Sequence, residues 1–292
     1  MDNNIDNNFQ RSFMRSGNFL ESETINSLSK YFQIRERPTF LDLDEGKSRD
    51  GDILAKETFP AILDLKSKRM VAQLILSLEC KSLPDHGWIF TEGKMKQYFW
   101  YFSLLRNRNI IEENVKPENP LNELVGTNSF FEAIADNKPK NELKTNKQTN
   151  NIHDASLKVI KLTRHLINED LRQAKILYRD FNKENEITFL KIYQPIIVFN
   201  GNLYLKKMYM EKIIRTKYLQ LSRQYTTARY DEDVTIHIVA SGHIEEYLKI
   251  IRSYYMSGAT YILENQSSIR ERVKEDLIHW NDFNPFKSSI SE

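Results

Sequence analysis

The chain has 292 residues, with 42 Lys and Arg against 40 Asp and Glu, a near balance that rules out arguing a nucleic-acid partner from bulk charge; such a partner would need a local basic surface. One cysteine, Cys80, excludes an intramolecular disulfide, and the six histidines (His86, His153, His165, His237, His243, His279) lack zinc-ligand spacing. No apolar run reaches the roughly eighteen residues of a membrane span, and the polar, acidic start does not read as a signal peptide, so a cytoplasmic protein of one large domain, or a core with a second lobe, is expected.

The first eight residues are rich in Asn and Asp and read as loose. Phe19 to Phe32 reads as an amphipathic helix running into a strand. Glu21 shares a face with Ile25, Leu28 and Phe32, and a carboxylate on an apolar stripe needs a cation or hydrogen bonds. Phe32–Arg37 alternates as a strand that Pro38 ends. Asp42, Asp44, Glu45 and Gly46 read as a solvated acidic turn, without the spacing of a calcium loop. Asp52–Ala55 is the next strand. Thr58–Met70 reads as a loop whose Lys66, Lys68 and Arg69 are either solvated or available to phosphate.

Leu74–Lys81 is the central strand, and its apolar run ends in Glu79-Cys80-Lys81. Side chains alternate along a strand, so Glu79 and Lys81 share a face while Cys80 points the other way. If this strand pairs with Asp52–Ala55, Asp52 joins Glu79 and Lys81. Two carboxylates and an ammonium there make a divalent-cation site with a lysine beside it. The same acid-X-Lys spacing recurs at Glu45, Asp64, Glu92, Asp136 and Glu142, but none of those ends an apolar run with a second strand-borne Asp upstream.

Asp52 with Glu79-X-Lys81 resembles the signature of the PD-(D/E)XK, or restriction-endonuclease-like, nuclease superfamily. Arg49-Asp50-Gly51-Asp52 is similar to the first element of several branches, and Trp88-Ile89-Phe90 follows where those branches carry a Trp-aromatic motif. The resemblance covers roughly the first hundred residues. It implies an α-β-β-β-α-β core and Mg²⁺- or Mn²⁺-dependent phosphodiester hydrolysis. It also implies the backbone carbonyl of Cys80 as a third metal ligand after Asp52 and Glu79, and a first-helix glutamate, here Glu21, reaching the site. Glu21 as a rim residue remains the alternative, and Asp50 is at most an outer contributor.

Pro84-Asp85-His86-Gly87 reads as a turn, and Trp88 and Phe90 as core. Gly93–Arg108 reads as a helix ending in Arg106 and Arg108. Asn114–Asn151 is a composition break with Pro117, Pro120 and Pro139, in which a short ordered piece around Phe130-Phe131 is expected and Lys138–Asn151 should be flexible. Ala155–Phe181 is a long helix. Ile187–Phe199 is strand-like, interrupted by Pro195, and Asn200-Gly201 signals a hairpin turn before Leu203-Tyr204-Leu205. Ile213–Leu221 and Val234–Val239 read as strands. A helix from Gly242 to Tyr255 carries Glu245 and Glu246 in its first turn, and another, Ile262–Trp280, follows.

The expected class is α/β (α+β), a restriction-endonuclease-like core with a central mixed sheet flanked by helices, plus C-terminal α/β elements. Residues 1–112 hold the motif half of the core, 113–154 a flexible Asn/Lys-rich insertion, and 155–292 the C-terminal α/β part. The expected activity is that of a metal-dependent endonuclease acting on nucleic acid, DNA in the first place, as in bacterial restriction or anti-phage defence. Partner subunits of a defence complex or a second copy of the chain are its expected associates, and a membrane is not. The alternative is a catalytically silent module that binds nucleic acid or scaffolds a complex. No Gly-X-X-X-X-Gly-Lys or Gly-X-Gly-X-X-Gly loop supports a nucleotide-binding enzyme.

Overall fold

The computed structural model describes residues 12–13, 16–59, 70–93, 101–102, 124–134, 151–178, 188–209, 211–227 and 231–264. In chain order they form α1 (Gly17–Leu28), β1 (Gln33–Glu36), β2 (Thr39–Asp42), β3 (Lys47–Asp50), β4 (Ile53–Phe59), β5 (Met70–Glu92), β6 (Tyr101–Phe102) and β7 (Val125–Ile134). There follow α2 (Asn151–Tyr178), β8 (Thr188–Lys206), β9 (Ile213–Arg215), β10 (Tyr218–Thr226), β11 (Asp231–Ala240) and α3 (Ile244–Glu264). The architecture is mixed α/β. A nine-stranded mixed sheet runs β1-β4-β5-β7-β10-β11-β8-β6 with β9 on β8, and β2-β3 form a separate hairpin. β4 runs antiparallel to both of its neighbours, β1 and β5, and β8 lies parallel to β5. Because β8 also bonds β5, the pairings from β5 through β7, β10, β11 and β8 return to β5.

Alternation along β5 sorts the core into two faces. Leu74, Leu76, Leu78 and Cys80 meet Leu20 and Leu28 of α1 and Tyr247, Leu248 and Ile251 of α3. On the opposite face, Ile75 packs with Ile167 of α2, and Ser77 hydrogen-bonds Thr163 of α2. Farther along α2, Ile152, Ala155 and Val159 cover Trp88, Phe90, Ile197 and Phe199. Each buried Leu-sized side chain contributes about 1.5–3 kcal/mol, so these two clusters fix which face each acid of β5 occupies. Helix α1 starts where the Ser16 side chain accepts from the Phe19 N–H at 3.2 Å, one of the otherwise unpaired donors of its first turn.

Several expectations are corrected. Asn200-Gly201 is not a hairpin turn, and Pro84–Gly87 is not a turn: both lie inside continuous strands, opposite one another, where the β5–β8 register slips between Ser82 and Gly87. A Cβ on Gly201 would stand 2.3 Å from the Phe199 ring and 2.8 Å from the Leu83 carbonyl, so this glycine serves close approach within a bulge rather than a turn. Pro195 does not interrupt β8, which pairs with β5 on both sides of it. Phe102, expected on a helix, is in β6, paired to Ile192 of β8; 94–100 and 103–108, with Arg106 and Arg108, lie outside the described residues. Within 113–154, Val125–Ile134 is a strand held between β5 and β10, and α2 begins at Asn151. The stretch 135–150 lies outside the described residues, as do Lys66, Lys68 and Arg69. Ile262–Glu264 continue α3 without a break, and the rest of the expected last helix is likewise outside. No helix among the described residues is long and apolar enough to cross a membrane.

Candidate functional site

Asp52 sits in the two-residue link between β3 and β4, directly after Gly51. A Cβ on Gly51 would meet Leu162 of α2 at 2.7 Å and Pro38 at 3.2 Å, so a larger residue here would have to displace the Leu162 side chain for the link to lie against the helix. The Asp52 carboxylate is then gripped from two elements. Its Oδ2 accepts from the Cys80 N–H at 2.7 Å, and its Oδ1 accepts from the Lys158 ammonium of α2 at 2.6 Å. The last β4–β5 pair is Ile53 with Leu78, so the edge of β5 at Cys80 is open toward Asp52. A residue's N–H and C=O leave a strand on the same edge, which directs the Cys80 carbonyl there too. The Cys80 side chain goes the other way, to Thr24 of α1, and burial pushes its thiol well above the usual range.

Glu79 is 2% exposed, on the α2 face. Its Oε1 lies 3.1 Å from Lys81 Nζ, and its Oε2 lies 2.7 Å from Lys158 Nζ. The Lys158 ammonium is the one described partner of Oε2, which is otherwise a buried acceptor. Burial, and then the neighbouring Asp52 charge, push the Glu79 carboxyl up to about 7 against the pull of Lys158 and Lys81. Burial pulls the Lys158 ammonium down, but Glu79 and Asp52 outweigh it and hold its pKa above the usual lysine value. One ammonium thus stands between two carboxylates, shared rather than owned.

Sequence reasoning placed Asp52, Glu79 and Lys81 in the site and missed Lys158. The signal was present: Lys158 falls three residues after Ala155 and four before Leu162, on the apolar stripe of its helix. A cation there needs a partner for the reason given for Glu21. Glu21 itself is not drawn into the cluster by a direct contact. Its described ion pair is with Arg37 at 3.8 Å, and Arg37 in turn donates its backbone N–H to the Asp52 carbonyl at 2.9 Å. Burial and the Asp52 charge nevertheless raise the Glu21 pKa, so the two acids share a field. Arg37 has φ +45°, the left-handed backbone at which β1 turns toward the β2–β3 hairpin. Asp50 is exposed and accepts from Thr39 within that hairpin.

Among the described residues no three His, Cys, Asp or Glu side chains converge as a metal set. A divalent ion here would therefore rest on Asp52, Glu79 and the Cys80 carbonyl. The donor set fits a hard cation, being all oxygen, and the buried Glu79 Oε2 has no described partner except the Lys158 ammonium.

A second acid cluster lies one turn along α2. Asp42, expected in a solvated turn, is fully buried. Its Oδ2 accepts from Lys161 at 2.8 Å and from Arg49 at 2.7 Å, while Oδ1 accepts from the Asp44 N–H at 3.1 Å. Burial pushes the Asp42 carboxyl up, but the bonds from Lys161 and Arg49 outweigh it and bring it down to about 2. Glu45 joins both cations, and Tyr225 of β10 donates to Asp44, so the hairpin before Asp52 is clamped to the helix that carries Lys158. Comparison with protein-family models, with curated proteins and with solved structures yields no match to this chain.

Proposed function

We propose that the chain is a metal-dependent nuclease that hydrolyses phosphodiester bonds of nucleic acid, DNA in the first place. The observation that carries this reading is the closure of Asp52 and Glu79 on a single cation position, with Lys81 beside it on the same strand face. The element order supports it: α1, the antiparallel β1, β4 and β5, then α2 and the parallel β8 run in the α-β-β-β-α-β sequence of a restriction-endonuclease-like core. Action within a restriction or anti-phage defence complex, with partner subunits, is part of the same proposal.

When bound, Mg²⁺ or Mn²⁺ supplies charge neutralisation at the phosphoryl oxygens and an acidified water. The chain does the rest. Asp52 and Glu79 hold the cation position, and the Cys80 N–H fixes the Asp52 carboxylate. Lys81, anchored on Glu79 Oε1 and partly open to solvent, orients the attacking water and carries positive charge to the phosphate as negative charge builds there. The Lys158 ammonium and a divalent ion compete for the same two carboxylates, so Lys158 sets the cost of loading the site.

That same ammonium favours a second reading, in which Lys158 permanently replaces the metal and the fold binds nucleic acid without cutting it. One experiment separates the two. Titrate Mn²⁺ into wild-type protein and Lys158→Met by calorimetry, and assay both on single-stranded DNA, duplex DNA and RNA with and without EDTA. The nuclease reading expects EDTA-sensitive cleavage by wild type and tighter Mn²⁺ binding by Lys158→Met. No cleavage by wild type, with Mn²⁺ bound only by the variant, establishes the silent reading.

A further inference from the structure

We infer that the hairpin joining β8 to β9, in its described residues 206–209 and 211–215, is a nucleic-acid-gripping arm, the local basic surface that a chain of net charge +2 needs if it is to hold a polyanion. The inference rests on the nuclease reading for its ligand, and on the hairpin's own chemistry for everything else. Lys206, Lys207, Lys212 and Arg215 lie within ten residues, against one acid of the hairpin, Glu211. None of the four forms an ion pair with a described acid. The next cation along, Lys217, by contrast, is tied to Glu246 at 2.8 Å.

The register shows how the hairpin presents itself. Tyr204 faces Arg215, Leu205 faces Ile214 and Lys206 faces Ile213. Side chains alternate, so Lys206, Arg215, Tyr204 and Ile213 share one face of the ribbon, and Leu205 on the other face is buried in the core. At the tip, Tyr209 is 95% exposed and Met208 55% exposed, with Ile213 at 48%. Large apolar and aromatic surface so placed costs solubility unless a partner covers it. Cations flank it on both strands, which matches a phosphate backbone with an exposed base face better than an apolar groove. The tip is held in place, because the Met208 N–H donates to Glu92 at the end of β5 at 3.1 Å.

The arm also has a definite reach. Phe199 of β8 stands opposite Lys81 in the register, and nine residues separate it from Met208. At roughly 3.3 Å per strand residue the tip lies at most about 30 Å from the site, or about nine nucleotide steps along B-form DNA. The substrate is thus engaged on one side of the scissile phosphate over no more than that length.

The test uses the full chain in EDTA, so that binding is read without cutting. Fluorescence anisotropy with a labelled 24-base-pair duplex and a 24-nucleotide single strand, chosen at about these lengths to exceed the reach on either side, is followed from low to physiological salt. Lys206→Gln/Lys212→Gln/Arg215→Gln should make the log affinity against log salt slope shallower by about two to three, and weaken binding at least tenfold, as loss of three phosphate contacts requires. Tyr209→Ala, at a position too exposed to affect folding, should weaken the single strand several-fold more than the duplex. A series of shortened duplexes should cost wild type affinity as one arm falls below about nine base pairs, and cost the triple variant nothing further. An unchanged salt slope in the folded triple variant overturns the arm. So does a variant that loses only binding to phosphatidylserine vesicles, which would make the surface a lipid-binding one. If wild type never cleaves but the slope falls, the arm stands and the nuclease reading fails; if it cleaves and the slope holds, the reverse is true.

Discussion

Two neighbouring acid clusters hang from one helix, and they differ in kind. Lys161 reaches Asp42 and Glu45, while Lys158, one turn earlier, reaches Asp52 and Glu79. At Asp42 the donors outnumber the need: two cations and two backbone N–H groups meet one buried carboxylate, and it is driven down to about 2. At Glu79 burial and a second carboxylate win over the shared ammonium, and the acid rises to about 7. The first arrangement is what a folding clamp looks like. The second keeps a repulsion between two carboxylates that an added proton or an added cation relieves, as the proposed metal site requires.

The largest expected effect tests that contrast at its centre. Asp52→Asn or Glu79→Gln should reduce metal-dependent cleavage to background while the fold survives. In the metal-free protein Glu79→Gln should also be stabilising. Glu79 has a folded pKa above its unfolded value, so its penalty is absent below about pH 4.5, grows as pH rises and is complete above about 7, at roughly 3 kcal/mol. Thermal melts in EDTA at pH 5 and pH 8 should therefore show the variant gaining over wild type far more at the higher pH. A gain that is equal at both values would detach the penalty from this carboxylate. Next comes Lys81→Ala, which should slow single-turnover cleavage by about 10²- to 10⁴-fold with little change in nucleic-acid affinity. A lost affinity with an unchanged saturated rate would make Lys81 an anchor instead.

The clamp should respond in the opposite sense. Asp42→Asn removes a carboxylate whose folded pKa lies below its unfolded value, so stability that is present above about pH 4 and lost as pH falls toward 2 should disappear. The expected cost is roughly 2 kcal/mol at pH 7, read by urea unfolding, converging with wild type near pH 2. Activity should drop only as far as the hairpin loosens its hold on the link that carries Asp52. A loss of cleavage as complete as that of Glu79→Gln would erase the distinction between the two clusters.

What the sequence disclosed of this arrangement follows from the range of the interactions. Period-two alternation is local, so the opposed faces of Glu79 and Cys80, and the buried Trp88 and Phe90, were legible. So was the pairing of β4 with β5, since two adjacent antiparallel strands need only a short return. Lys158 comes 79 residues after Glu79, and nothing local shows which acids it will meet. Asp42 looked solvated because its turn is acidic, and its partner Lys161 arrives from that same distant helix. Asn200-Gly201 misled for another reason. A glycine needed for close packing and a glycine needed for a turn are the same letter, and here the Phe199 ring decided between them.

The smallest expected effect is the most discriminating about where the site ends. Glu21 touches neither Asp52 nor Glu79 in the described contacts, yet burial and the Asp52 charge raise its pKa, with Arg37 opposing them. If it belongs to the site, Glu21→Gln removes a negative charge that helps hold the cation, so cleavage at limiting Mg²⁺ should fall a few-fold and recover at saturating metal. The same loss of repulsion should leave the metal-free protein as stable as wild type, or slightly more so, at pH 8 and unchanged at pH 4, because a raised folded pKa carries its penalty only where the acid is ionised. If Glu21 is instead the rim partner of Arg37, the substitution weakens a half-exposed ion pair and the link to Asp52 behind it. Stability should then dip by a few tenths of a kcal/mol with no change in the Mg²⁺ dependence. Melting curves without metal and a Mg²⁺ titration of the cleavage rate, for both proteins, separate the two. A Mg²⁺ curve that superimposes on wild type confines the cation position to Asp52, Glu79 and the Cys80 carbonyl, with Lys81 and Lys158 as its two lysines.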